Sequence, residues 1–181
     1  MSSIAQLNDV SGLAPEVEAG VRLYSNAFLA VYDLILHNIT TYLAWQCPTR
    51  EVLAHFREQV SANHLDVGVG TGFFLKRCLA PPERQWIGLL DLNPNCLRKA
   101  GDAIPDYEAE SYQANVLAPL NYHGLRYDSC SMMHLLHCLP GDIAAKAVVF
   151  DHLSVMLNPG AVVYGVTILQ PDDHTNRFGR M

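Results

Sequence analysis

His64-Leu65-Asp66-Val67-Gly68-Val69-Gly70-Thr71-Gly72 carries the sharpest chemical signal in the 181-residue chain. A short strand pattern ends in an acidic residue, and three glycines follow at intervals of two before a helical pattern begins. Glycines so placed let the backbone turn tightly and approach a ligand closely. The start of the helix that follows presents unpaired N–H groups. A dinucleotide fingerprint, G-x-G-x-x-G, needs glycine at position 73, where Phe73 stands, and this weighs against NAD. Asp91 stands about twenty residues past the glycines, at the end of the next apolar run. An acid there can accept hydrogen bonds from both ribose hydroxyls of a nucleoside, or serve simply as the acid before a helix start.

Two histidines, His134 and His137, follow a later strand pattern, residues 127–133. An imidazole titrates near working pH, so either can take a proton from an acceptor hydroxyl; either can equally bond the backbone. Cys130, His134, His137 and Cys138 invite a metal reading, but Cys130 lies within a strand pattern and the four cannot easily meet on one tetrahedron. No metal is expected.

These residues need elements to hold them. Val17, Val21, Tyr24, Phe28, Val31 and Ile35 recur at helical spacing and predict a helix over residues 16–36, with a second over 50–60 capped by Thr49. From there strands (64–67, 85–90, 107–113, 127–133, 161–169) alternate with helices (73–79, 93–103, 142–156). Asn158-Pro159-Gly160 reads as a turn. Such alternation means βαβ units, a parallel sheet and helices on both faces. Residues 162–169 are apolar on both faces, as an interior strand should be, yet only residues 170–181, most of them polar, follow. Missing C-terminal residues, a second copy or another chain is expected to cover that strand.

Asp66-Val-Gly68-Val-Gly70-Thr-Gly72, Asp91, Gln113-Ala114-Asn115-Val116, Tyr127-Asp128 before Leu136-His137, and Leu157-Asn158-Pro159-Gly160 together resemble the successive motifs of class I S-adenosylmethionine-dependent methyltransferases. The likeness runs in order over residues 65–169. It implies an α/β, Rossmann-like sandwich with a mostly parallel sheet, an N-terminal helical lid (residues 1–61) and a cofactor-binding core (62–181), lacking the family's two closing strands. It implies S-adenosylmethionine as cofactor. Asp66, Gly68, Gly70 and Gly72 would floor the methionine and ribose parts, Asp91 would hold the ribose hydroxyls, and Leu92 would pack on the adenine. Asn115 would face the adenine amino group and the Val116 backbone a ring nitrogen, while Ser131 and Met132 would offer carbonyls to the ammonium. Tyr24, on the lid, would reach the cofactor carboxylate; His137, at a position where the family often has histidine, is the candidate catalytic residue. Position 115 is Asn where the family often has Asp, and an amide oxygen still accepts a proton there.

Composition narrows the substrate. Twelve Lys and Arg against eighteen Asp and Glu leave a net charge of −6. Nucleic-acid and anionic-membrane surfaces rely on clustered cations, which are absent. Ser131-Met132-Met133-His134 stands where amino-methylating DNA enzymes carry an Asn/Asp-Pro-Pro-aromatic motif. A small-molecule acceptor, methylated on oxygen, nitrogen or carbon, remains; a non-catalytic scaffold of the same fold is the alternative. Five scattered cysteines, no leader pattern over residues 1–15 and no long apolar run point to a cytoplasmic protein.

Overall fold

The computed structural model describes residues 3–11, 47–80 and 85–168. In chain order these form β1 (Ile4–Gln6), α1 (Thr49–Gln59), β2 (Asn63–Val67), α2 (Phe73–Cys78), β3 (Trp86–Asp91), α3 (Pro94–Ala103), β4 (Glu108–Gln113), β5 (Tyr127–Met133), α4 (Ile143–Leu153) and β6 (Leu157–Val166). The strands make one sheet in the order β1-β4-β3-β2-β5-β6, every neighbouring pair parallel. From β2 the chain winds outward through β3 and β4, then returns to the other side of β2 as β5 and β6. A crevice opens at such a reversal, beyond the C-terminal ends of the strands.

Strand alternation splits the core in two. Leu65, Val67, Leu90, Cys130 and Met132 face Val149 and Leu153 of α4, while Ile87 and Leu89 face the helix trio α1–α3 through Phe56, Leu75 and Leu97. Phe56 stacks on Phe74 with centroids 5.7 Å apart, which fixes α1 against α2. Local signals set the helix starts. Asn93 Oδ1 accepts from the Asn95 N–H at 2.9 Å with Pro94 in the first helical position, and Asp142 Oδ1 accepts from the Ala145 N–H at 2.8 Å.

The structure departs from the sequence reading in three places. β1 was not expected: three residues are too few to show a period, and its place is set by pairing with β4, extended by the Leu7 N–H donating to the Gln113 carbonyl at 3.1 Å. Residues 4–6, within the expected 1–61 segment, thus lie in the core sheet. Thr49 is the first helical residue rather than the cap; Pro48 holds the cap position with no side-chain bond. The turn at Asn158-Pro159-Gly160 is instead a bulge within β6, since Tyr127 pairs with Leu157 but Ser129 already pairs with Val162. A proline can sit there because a bulge does not ask for its missing N–H. The expected first helix, with Tyr24, lies outside the described residues.

Candidate functional site

Beyond β2 the chain turns through three glycines in left-handed backbone, φ 72°, 53° and 73° at Gly68, Gly70 and Gly72. Side-chain-bearing residues rarely adopt that conformation. The Gly68 N–H donates to the Leu90 carbonyl at 2.8 Å, tying the turn to β3. A Cβ on Gly72 would lie 3.0 Å from Ala100 Cα, so α3 packs directly on this residue. A Cβ on Gly70 would meet nothing within 4 Å: the turn is open on that side.

Asp91, the last residue of β3, faces this opening. Its Oδ2 accepts from the Gly70 N–H at 3.3 Å and its Oδ1 from the Asn93 N–H at 2.8 Å, so one carboxylate joins the glycine turn to the start of α3. Burial pushes its pKa up to about 6, against the pull of the backbone N–H groups of Asn93, Gly70 and Leu92. A carboxylate has about four lone-pair sites, so it can still accept from a further donor. Leu92 follows; its carbonyl accepts from Gln113 Nε2 at 3.1 Å, which ties it to β4.

After β4, Asn115 Oδ1 accepts from the Leu117 N–H at 3.0 Å and holds a tight turn. The backbone of Asn115 is gripped from far along the chain. Asn8 Oδ1 accepts its N–H at 3.0 Å and Asn8 Nδ2 donates to its carbonyl at 2.8 Å. The buried Val116 carbonyl accepts from His152 Nδ1 at 2.9 Å, anchoring the same loop to α4. Nothing in the sequence pointed to Asn8 or His152, because their partners lie across the sheet.

Asp66 is buried on the floor beside the glycine turn and accepts from Ser131 Oγ at 2.6 Å. Burial pushes its pKa up to about 7, with the Asp91 charge adding to the rise. Ser131 and Met132 lie inside the ladder, where Ser131 pairs with Asp66 and Tyr164, and Met132 with Gly165. The rim beyond them is formed by Met133 and His134, the latter with φ 60°, a conformation uncommon outside glycine. Ser131 thus reaches the site through its hydroxyl, a role its position in the strand did not announce.

His137 lies on a single 3₁₀ turn, Leu136–Cys138, past the rim. Its Nδ1 accepts from the Ile168 N–H at 3.3 Å, and because that N–H can only donate, the neutral ring carries its hydrogen on Nε2. Burial, then the nearby Lys146 charge, lowers its pKa, which keeps the ring neutral. Its centroid is 6.0 Å from that of His134. Among the described residues no three His, Cys, Asp or Glu side chains are placed to hold a metal ion. The structure therefore places Asp66, the three glycines, Asp91, Leu92, Asn115 and Val116 at the C-terminal ends of β2, β3 and β4 and in the loops that follow them, with Ser131 and Met132 in β5 and His137 past its end.

No protein-family model matches the chain. It is 37% identical over 157 residues to demethylluteothin O-methyltransferase of Streptomyces thioluteus, covering 87% of this chain and 68% of that protein. It is 42% identical over 175 residues to methyltransferase verB of Penicillium polonicum, covering 88% and 76% of the two chains. With the physcion biosynthesis cluster O-methyltransferase of Aspergillus chevalieri it shares 38% identity over 90% of this chain and 73% of the relative. Its fold is that of N-methyltransferase NodS from Bradyrhizobium japonicum, solved with S-adenosyl-L-homocysteine, at a TM-score of 0.58 and 16% identity over 82% of this chain and 71% of the other. The DhpI-SAM-HEP complex gives the same TM-score, 0.58, at 18% identity over 90% and 70%. With this sheet order, this glycine turn and relatives at these identities, the chain belongs to the class I S-adenosylmethionine-dependent methyltransferases.

Proposed function

We propose that the crevice binds S-adenosylmethionine and that the protein methylates a small-molecule acceptor, on oxygen in preference to nitrogen or carbon. The observation that carries the cofactor site is the Asp91 carboxylate spanning Gly70 and Asn93 beside the open face of Gly70. The residues suit the ligand: two buried carboxylates face a molecule with a sulfonium and an ammonium, and an acid at the end of β3 suits a ribose. Bound there, the cofactor supplies an electrophilic methyl group. Asp91 takes the ribose hydroxyls, Leu92 and the Asn115–Val116 loop border the adenine, and Asp66 with the glycine turn floors the remainder. Ser131 and Met132 complete the methionine end. The O-methyltransferase names of two relatives support the oxygen acceptor.

Transfer of a methyl group depends mainly on holding donor and acceptor in line. His137 is assigned to the acceptor side, where its Nε2–H donates to and orients the acceptor oxygen. Accepting a proton at Nδ1 requires release of the Ile168 N–H. Tyr24, outside the described residues, is assigned to the cofactor carboxylate as part of a lid drawn from residues 1–61, over a core from 62 onward. The acidic balance supports a metabolite rather than a nucleic acid. Five free thiols support a reducing, cytoplasmic setting, and no helix among the described residues is long and apolar enough to cross a membrane.

Titration with S-adenosylhomocysteine by calorimetry tests the site. Asp91→Ala should weaken binding by about ten- to a hundredfold, since hydrogen bonds to a charged group contribute about 1.5–3 kcal/mol. Unchanged affinity in that variant would remove Asp91 from the site. Absence of binding by the folded wild-type chain would leave the scaffold reading in its place.

A further inference from the structure

His64 lies two residues before Asp66 on β2, and Ser129 two residues before Ser131 on β5. The parallel register sets His64 beside Ser129 and Asp66 beside Ser131, so all four side chains share one face of the sheet. All four are buried. The His64 ring bridges the serines, with Nδ1 2.7 Å from Ser129 Oγ and Nε2 3.0 Å from Ser131 Oγ. Ser129 Oγ in turn accepts from the Ser61 N–H at 2.9 Å and lies 2.8 Å from Ser61 Oγ.

Each hydroxyl has one proton, so the string has a direction. With Asp66 ionised, Ser131 must give its proton to Asp66 and can then only accept from His64. The ring hydrogen is therefore on Nε2 and Nδ1 accepts from Ser129, whose hydroxyl then accepts from Ser61 Oγ as well as from the Ser61 N–H. Were Asp66 protonated and donating, the three bonds joining Ser129, His64, Ser131 and Asp66 would reverse and the ring hydrogen would move to Nδ1, while the Ser61 N–H would still donate to Ser129. Phe56 and Tyr164, with centroids 5.5 Å and 5.9 Å from the imidazole, enclose it in apolar surroundings that disfavour a charged ring. Burial accordingly drops the His64 pKa to about 3.

We propose that His64 is a positioning residue of the cofactor site, which through Ser131 holds the Asp66 carboxylate ionised and fixed beneath the cationic methionine end of the cofactor. This rests on the cofactor-binding reading above. The groups facing Asp66 are Asp91 on β3, Cys130 and Ser131 on β5, and Tyr164 on β6. Of these only Asp91 shares the range in which Asp66 titrates, so the two carboxylates titrate as a pair.

The experiment measures S-adenosylhomocysteine affinity from pH 5.5 to 8.5 for the wild type, His64→Leu and His64→Gln. His64→Leu cuts the string and should move the pH midpoint of binding up by about one unit, leaving affinity about tenfold weaker at the acid end and close to wild type at pH 8.5. His64→Gln keeps a donor toward Ser131 and should restore most of the wild-type profile. A loss equal at every pH, or a Gln variant no better than Leu, overturns the proposal. If His64→Leu does not fold, nitrogen NMR of the wild-type ring decides: at pH 8 the hydrogen must be on Nε2, and a hydrogen on Nδ1 overturns it. A wild-type chain that binds no S-adenosylhomocysteine at any pH overturns the cofactor reading itself, whatever the ring shows.

Discussion

The two carboxylates of the crevice are held by different donors: Asp66 by a serine hydroxyl, Asp91 by backbone N–H groups from two loops. Both are buried enough to be pushed up, to about 7 and about 6, from an ordinary value of 3.8. Folding therefore retains protons on them that the unfolded chain releases, and over that window stability falls as pH rises. His64 acts in the opposite sense. It is neutral when folded down to about 3 and titrates near 6.5 when unfolded, so it adds stability as pH rises between those values. Above about 6.5 the His64 contribution is complete and Asp66 dominates what is left. The unliganded protein should then lose thermal stability between pH 6.5 and 8, and Asp66→Asn should flatten that slope in scanning calorimetry. A wild-type Tm that climbs across the same interval contradicts the assignment.

Elements turn these residues into a site, and the glycine turn shows how. Gly70 and Gly72 have similar backbone angles but different surroundings, open space in one case and α3 in the other. Gly72→Ala combines left-handed strain with a clash against Ala100 and should cost about 2–4 kcal/mol of stability. Gly70→Ala meets no protein atom, so it should cost only about 1–2 kcal/mol in folding while weakening S-adenosylhomocysteine binding by more than its effect on stability suggests. Denaturant melts and calorimetry on the two variants separate these outcomes. The spacing of the three glycines was legible because a backbone need is written in a residue type. The grip of Asn8 on Asn115 was not, since the pair is 107 residues apart and nothing local marks either residue.

At the scale of the molecule, β6 is the outer strand of the sheet among the described residues, and Val162 and Val163 are 45% and 38% exposed. Phe150 of α4 is also exposed, and with Val163, Leu157 and Pro159 it lines an apolar groove. An open apolar edge tends to pair. Sedimentation of this chain should show association that grows with concentration, and Val163→Lys should reduce it; equal association in the variant removes this edge as the contact. Cofactor binding should stabilise the whole fold, by ~2.7 kcal/mol at a hundredfold excess over the dissociation constant, or a Tm rise of about 5–10 °C. Loss of that rise on removing the ligand by dialysis checks its origin.

The sequence by itself determined the alternation of strands and helices, the glycine turn and the acid at the end of the next strand. These rest on local physics: a hydrophobic period, a backbone angle only glycine readily adopts, a charge beside a helix start. The tertiary structure decided what depends on register and long-range pairing. It added β1 by pairing with β4, made a bulge of an expected turn, and set His64 against two serines of another strand. A hydrogen bond needs its partner within about 3 Å, and no residue type states in sequence which distant partner the fold will bring there.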